Sequence, residues 1–353
     1  MPREGGLQAW TTEAQNASSI EELRTIREKL IQTRPLPPAG QIVKWSKQIN
    51  GFYDQLIRRT IKLTEQTMLD SGMGPPPASY AFLLFGSGGR SEQTLYSDQD
   101  NGLIYEDDAN PQTKEYFQYF AEQIKNNLEL LGFPPCDGNV ICTNPMWNQP
   151  FTDWVKMLSI WFSEPSWEHV RYLLITADLR FLYGNEELST RLQKGYRELI
   201  NQHPEIIGTM LKNTLHHKIT LGLFGQLIRE RYGVEAGGFD IKYGAYIPLV
   251  NGIRLLALRE KIEASSTLER IESLQQCEEL SAYGLDWTTA FEDVLELRLQ
   301  TPYEVKEGVY HAQAALKKEQ LNPEVLVKLK RALHTGKRLQ RLVKKLVHEP
   351  GKG

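Results

Sequence analysis

Cysteine is scarce in this chain of 353 residues. There are three, Cys136, Cys142 and Cys277, irregularly spaced, and neither Cys136 nor Cys142 has a histidine near it. That excludes a disulfide framework and a zinc cluster, and reduced thiols packed in the interior are the expectation. Basic charge is not in excess either: 41 Lys and Arg against 44 Asp and Glu leave a net charge of −3. Bulk electrostatic binding to nucleic acid needs a basic surface, so nucleic acid is not the expected partner, a local basic patch aside. No apolar run approaches the ~20 residues that span a bilayer. The opening MPREGGLQAW lacks the apolar stretch of a signal peptide. A soluble cytoplasmic protein with no membrane partner is expected. Internal repeats and low-complexity tracts are missing too.

What the chain does have is ordinary globular material, 41% hydrophobic and 24% charged, long enough for two or three packed units. Ser18-Ser19 followed by Glu21-Glu22 marks a helix start, and Leu23, Ile26 and Leu30 recur at helical spacing after it. A longer amphipathic helix is predicted from Gln41 to Leu69, with Ile42, Trp45, Ile49, Phe52, Leu56 and Ile61 on one stripe. The run GMGPPP at 72–77 is a boundary. Beyond it, Tyr80–Phe85 is an unbroken apolar run that reads as a buried strand. A second strand is predicted over Asp98–Tyr105, a helix over Pro111–Leu131, a short strand at Asn139–Thr143, and an apolar segment over Tyr172–Tyr183. After Gly184 the pattern is almost wholly helical, including predicted helices at Glu205–Tyr232 and Glu304–Leu316 and a last one at Pro323–Val347. The expected domains are a helical segment over 1–75, an α/β unit with a small mixed sheet over 76–185, and a helical bundle over 186–353.

The chemistry concentrates in GSGGRSEQTLYSDQDNGLIY, Gly86 to Tyr105. Asp98 and Asp100 are two apart on a predicted strand, so their side chains leave one face with Cβ atoms roughly 7 Å apart. Carboxylates at that spacing can share metal ions. Mg²⁺, or Mn²⁺ in its place, suits a few carboxylates combined with water and phosphate oxygens. A glycine-rich turn at Gly86-Ser87 lets backbone N–H groups approach a phosphate, with the Ser87 hydroxyl as a further donor and Arg90 as a bidentate cation. Together these can hold a triphosphate and the metal bridging it, the arrangement for in-line nucleotidyl transfer. Other motifs fail: no Gly-Lys-[Ser/Thr] completes a Walker A loop, no GxGxxG opens a helix, and DQDNG places its glycine one residue early for an EF-hand.

This signature, Gly86-Ser87 followed by Asp98-x-Asp100, resembles that of the DNA polymerase β-type nucleotidyltransferase superfamily. More narrowly, the segment is similar to a family of nucleotidyltransferases related to the uridylyltransferase of the PII signalling protein. CDGNVICTNPMW at 136–147, ADLRFLYG at 177–184 and GFDIKYGAYIPLVNGIRLLAL at 238–258 share that narrower resemblance. It implies a mixed sheet flanked by helices with a helical substrate-binding domain behind it. It also implies an NTP substrate, an acceptor that the sequence leaves unnamed (a protein or a small molecule), and a third metal-binding carboxylate on a later strand. Asp178 is the first candidate and Asp137 the second; the competing role for Asp178 is a buried carboxylate paired with Arg180 or Arg90. Gln99 departs from the superfamily pattern, where an apolar residue separates the two aspartates. Lys242, in the segment resembling the C-terminal domain, is a candidate contact to nucleotide or acceptor.

Several other features have simpler readings. His216 and His217 point about 100° apart on a helix and do not chelate one ion easily. The last helix has a basic face over a leucine stripe, as a bundle helix does, with a nucleic-acid or acidic-protein contact as the sharper alternative. Trp147, Trp154, Trp161 and Trp167 suit packing better than base stacking. The functional expectation is an Mg²⁺-dependent enzyme that moves an NMP from an NTP to a hydroxyl. The alternatives are a catalytically silent nucleotide-binding regulator docked on a protein, and a terminal transferase acting on nucleic acid.

Overall fold

The computed structural model describes residues 5–33, 37–38, 40–214 and 237–348. The chain divides into two units, one of 1–160, 178–196 and 304–311, the other of 161–177, 197–303 and 312–353. The class is the expected one, a small mixed sheet flanked by helices, with a long helix at the C-terminal end. None of the described helices is long and apolar enough to cross a membrane.

The first unit opens with three helices, α1 Gly5–Asn16, α2 Ile20–Thr33 and α3 Ile42–Asp70. Helix α2 starts at the predicted signal: the Glu22 carboxylate accepts from the Ser18 N–H and hydroxyl, and the Ser19 hydroxyl accepts from the Glu22 N–H. Every residue of the predicted α3 stripe, from Ile42 to Ile61, is buried. Helix α1 falls in the stretch expected to be helical, without a predicted start of its own.

Strand β1, Tyr80–Leu84, is buried along its whole length, as an unbroken apolar run requires. It runs straight into a single helical turn, α4, Gly86–Gly89. Strand β2, Asn101–Tyr105, pairs antiparallel with β1, placing Leu84 opposite Asn101. Strand β3, Asn148–Pro150, runs parallel to β2, and β4, Arg180–Gly184, lies antiparallel on the other side of β1, giving the order β3-β2-β1-β4. Helix α5, Gln112–Leu130, covers this sheet. The Phe117 ring stacks on Tyr105 at 4.3 Å, and Tyr80 packs against both Phe117 and Phe120. Trp147 and Trp154 are buried around Phe85, and the Trp154 indole N–H donates to the Leu103 carbonyl, so both serve packing.

Several predicted elements differ. The second strand begins at Asn101, because Gln99 bridges instead to Pro135. Asn139–Thr143 is a turn, with Asn139 in the left-handed region, and the strand comes later as β3. The apolar segment Tyr172–Tyr183 is split between a helix, α7 (Trp167–Thr176, after α6 at Phe151–Ser163), and β4. Its start is fixed by the Ser166 hydroxyl, which caps the helix by accepting from the His169 N–H.

Two helices lead on along the chain, α8 (Glu186–Gln202) and α9 (Ile206–Thr214), and β5 (Phe239–Asp240) follows. The second unit is then built on α10 (Ile247–Arg259), α11 (Thr267–Leu274) and α12 (Gly284–Arg298). Next comes a hairpin, β6 (Tyr303–Lys306) and β7 (Val309–Ala312), then β8 (Ala315–Leu316), paired with β5, and finally α13 (Pro323–His348). The rest of the predicted helix Glu205–Tyr232, with His216 and His217, lies outside the described residues. The predicted helix at Glu304–Leu316 is overturned by the hairpin: Glu307 and Gly308 both have positive φ, the backbone that closes two twisted strands. Eight hairpin residues belong to the first unit, where the Tyr310 N–H donates to Gly132 O and the Tyr310 ring faces Tyr96 and both Arg24 and Arg27. On α13, Lys328 pairs with Glu296, Arg331 bidentately with Asp293, and Arg338 with Asp286. Much of its basic face is therefore matched by α12.

Candidate active site

The end of β1, the turn α4 and the approach to β2 meet at one place. The Phe85 N–H donates to the Asp100 carbonyl, which locks the Asp98–Asp100 segment against the strand that feeds the turn. Gly86 has φ +52, and a Cβ there would lie 2.2 Å from the Asp100 Oδ2 atom. Only glycine allows the turn to lie this close to the carboxylate. The first N–H groups of α4 have no partner within a helical turn. The Ser87 side chain, half-buried beside them, makes no hydrogen bond among the described residues.

Asp98 and Asp100 lie together just ahead of β2 rather than on a shared strand face, and a third group joins them. Among the described residues, Asp98, Asp100 and Cys136 form the one cluster of three metal-ligating side chains, with ligand atoms all within 4.8 Å of each other and each residue half-buried. No ion pair reaches Asp98 among the described residues. The Cys136 thiol is pushed up, first by burial and then by the Asp100 charge, which it faces as a hydrogen-bond donor, with a smaller push from Asp98. Two carboxylates against a neutral thiol, with no cation at Asp98, are a donor set that fits a divalent metal ion.

Cys136 was expected to be a packed thiol like Cys142, and nothing in its spacing says otherwise. The contact that brings it in is Gln99. Its N–H donates to Pro134 O at 2.9 Å and its side-chain amide to Phe133 O at 3.0 Å. Gln99, between the two aspartates, thus ties the carboxylate segment to the loop carrying the thiol. Arg27 ties the same two segments further back, donating to Leu95 O and Leu131 O. Its guanidinium is fully buried, 3.8 Å from the centroid of Phe133.

The remaining predicted residues go elsewhere. Asp178, 1% exposed, is outside the cluster and pairs with Arg90 at 2.5 Å. Arg90 also holds Glu92 at 2.9 Å and is itself buried. These three charges lie under the turn: the Asp178 carbonyl would be 2.0 Å from a Cβ on Gly89. Arg180 completes the support, donating to Gly88 O while its guanidinium grips Asp54 through two bonds of 2.8 Å. Asp137 is exposed and outside the cluster. Lys242 lies in the second unit at the start of a π-helical turn, its ammonium 5.4 Å from the Tyr243 ring.

A buried strand thus enters a glycine turn, with a carboxylate pair at the head of the neighbouring antiparallel strand. Residues 37–168 match the family model described as "Putative nucleotidyltransferase DUF294", and residues 204–347 match that of the "Putative nucleotidyltransferase substrate binding domain". The two matches cover most of the chain, and the chain belongs to this family. No curated protein matches it.

Proposed function

We propose that this protein is a divalent-metal-dependent nucleotidyltransferase that moves an NMP from an NTP to a hydroxyl of an acceptor, a protein or a small molecule. The observation that carries this reading is the meeting of Asp98 and Asp100 beside the Gly86–Gly89 turn, within the stretch matched by the family model. Asp98 and Asp100 would hold the ion, Mg²⁺ or Mn²⁺. When bound, it supplies the positive charge that activates an attacking hydroxyl and neutralises a departing pyrophosphate. The turn's leading N–H groups and the Ser87 hydroxyl bind and orient the triphosphate. Arg90 and Asp178 act one layer down: their ion pair fixes the backbone on which Gly86 and Ser87 are presented. Lys242 is assigned to the acceptor side, in the substrate-binding domain.

The test is calorimetric titration of the four NTPs with Mg²⁺ or Mn²⁺ into wild type and the Asp98→Ala/Asp100→Ala variant. One NTP binding only with metal, and lost in the variant, is the expected result; no binding of any NTP overturns the reading. One observation favours a second reading, a catalytically silent nucleotide-binding regulator: the third member of the cluster is a thiol rather than a carboxylate. Tight nucleotide retention with no pyrophosphate release over hours, across acceptor classes, would select it.

A further inference from the structure

We infer that Cys136 is the third donor of the metal site and that its sulfur gives the site a preference over Mg²⁺ for borderline ions such as Co²⁺ and Zn²⁺. The inference rests on the reading of Asp98 and Asp100 as metal ligands.

Cys136 differs from the packed thiol Cys142, which is fully buried and faces the Ala121 carbonyl. Cys136 is half-buried, its sulfur within 4.8 Å of carboxylate oxygens of both Asp98 and Asp100. A thiol serving only as a small apolar filler has no reason to be aimed at charge. Its placement is also built rather than incidental. The parallel bridge between Gln99 and Pro135 and the two Gln99 hydrogen bonds to Phe133 and Pro134 fix the chain immediately before Cys136 against the aspartates. On the other side, the Asn139 N–H donates to Cys136 O at 3.0 Å and closes a turn, with Asn139 held at φ +56. The sulfur is thereby held on the carboxylate segment from both directions.

Donor chemistry then sets the preference. A hard ion such as Mg²⁺ takes oxygen and water, and gains nothing from sulfur. A borderline ion gains from a sulfur ligand, and its affinity at a mixed oxygen and sulfur site rises along the series from Mn²⁺ to Co²⁺, with Zn²⁺ also strong. On binding such an ion the thiol gives its proton to water and coordinates as thiolate.

Co²⁺ is the probe. Titration of the wild-type protein is expected to produce a near-ultraviolet sulfur-to-cobalt charge-transfer band, saturating at the calorimetric stoichiometry. Cys136→Ser should abolish the band and weaken Co²⁺ and Zn²⁺ by about tenfold or more, with no comparable loss of Mg²⁺. Asp98→Asn/Asp100→Asn should lose all the ions. Co²⁺ that binds wild type without the band, and binds Cys136→Ser equally well, overturns this inference and leaves the carboxylate site standing. If no divalent ion binds wild type, both this inference and the metal-dependent reading fall. The wild-type spectrum decides the donor even if the serine variant does not fold.

Discussion

Gly86→Ala is the substitution whose consequences the structure specifies most fully. Two costs add. An L-residue at φ +52 is strained by about 1–2 kcal/mol. The new methyl would also stand 2.2 Å from Asp100 Oδ2, roughly 1 Å inside ordinary contact. The methyl is fixed to backbone, so the carboxylate must swing away by about that distance. A displacement of about 1 Å at a reacting centre costs up to about 100-fold, so metal-dependent nucleotide binding should fall by at least tenfold while unfolding free energy falls by about 1–3 kcal/mol. Two controls separate the terms. Gly72→Ala has φ +84 and open space around it, so it should show the strain alone and leave binding intact. Gly89→Ala meets two backbone carbonyls, Asp178 O at 2.0 Å and Leu84 O at 2.9 Å, and should destabilise more than Gly86→Ala because neither obstacle can rotate aside. Urea unfolding followed by tryptophan fluorescence and calorimetric titration with Mn²⁺ and nucleotide measure the two quantities. If Gly86→Ala matches Gly72→Ala in both, the close approach of turn and carboxylate is not what the site depends on.

Asp178→Asn breaks a buried ion pair and should cost about 3–5 kcal/mol in denaturant unfolding; a loss below 1 kcal/mol would mean that Arg90 is held by its other partners alone. Gln99→Leu keeps a buried side chain of similar size but removes the bond to Phe133 O, so stability should fall by only about 1 kcal/mol. Co²⁺ affinity should drop more visibly as the Cys136 loop loosens, and unchanged Co²⁺ affinity would count against Gln99 as the tie. Tyr105 is pushed up to about 12, first by burial and then by Asp153 and Asp107. Its ordinary value is near 10, so the unfolded chain ionises first. The contribution is complete below pH 10 and is lost as pH rises through about 12. Tyr105→Phe should flatten the fall of the unfolding midpoint across that window, and an unchanged slope would refute the assignment.

The parts of this site that were legible in the sequence are those encoded by local pattern. Tyr80–Phe85 announces a buried strand because no polar residue interrupts it, and Gly86-Ser87 marks the turn, while Asp98 and Asp100 come together just ahead of β2 rather than on its face. What stayed hidden depends on approach between distant segments. Cys136 lies 36 residues beyond Asp100, and the two loops meet through bonds of Gln99 to Phe133 and Pro134 and of Asn101 to Val140 and Cys142. Asp178 stood in an apolar context that suited either a metal ligand or a buried pair, and the choice hinged on where Arg90 pointed. The helix predicted over Glu304–Leu316 failed for a local reason, since Val305, Val309 and Tyr310 favour extended backbone on either side of the Glu307-Gly308 turn.

That hairpin bears on how the gene can be divided. Residues 304–311 belong to the first unit although more than a hundred residues of the second precede them. A fragment ending near residue 200 would look complete by its strands, yet Arg24 would lose its bond to the Gly308 carbonyl, and Tyr310 would no longer lie over Arg24 and Arg27 or against Gly132. The unpaired edge it left would lie on the Leu131–Gly132 stretch that leads to Cys136. The nucleotidyltransferase half of this protein is thus a unit in space but not in sequence, and a chain still being synthesised cannot finish it until the hairpin has been made.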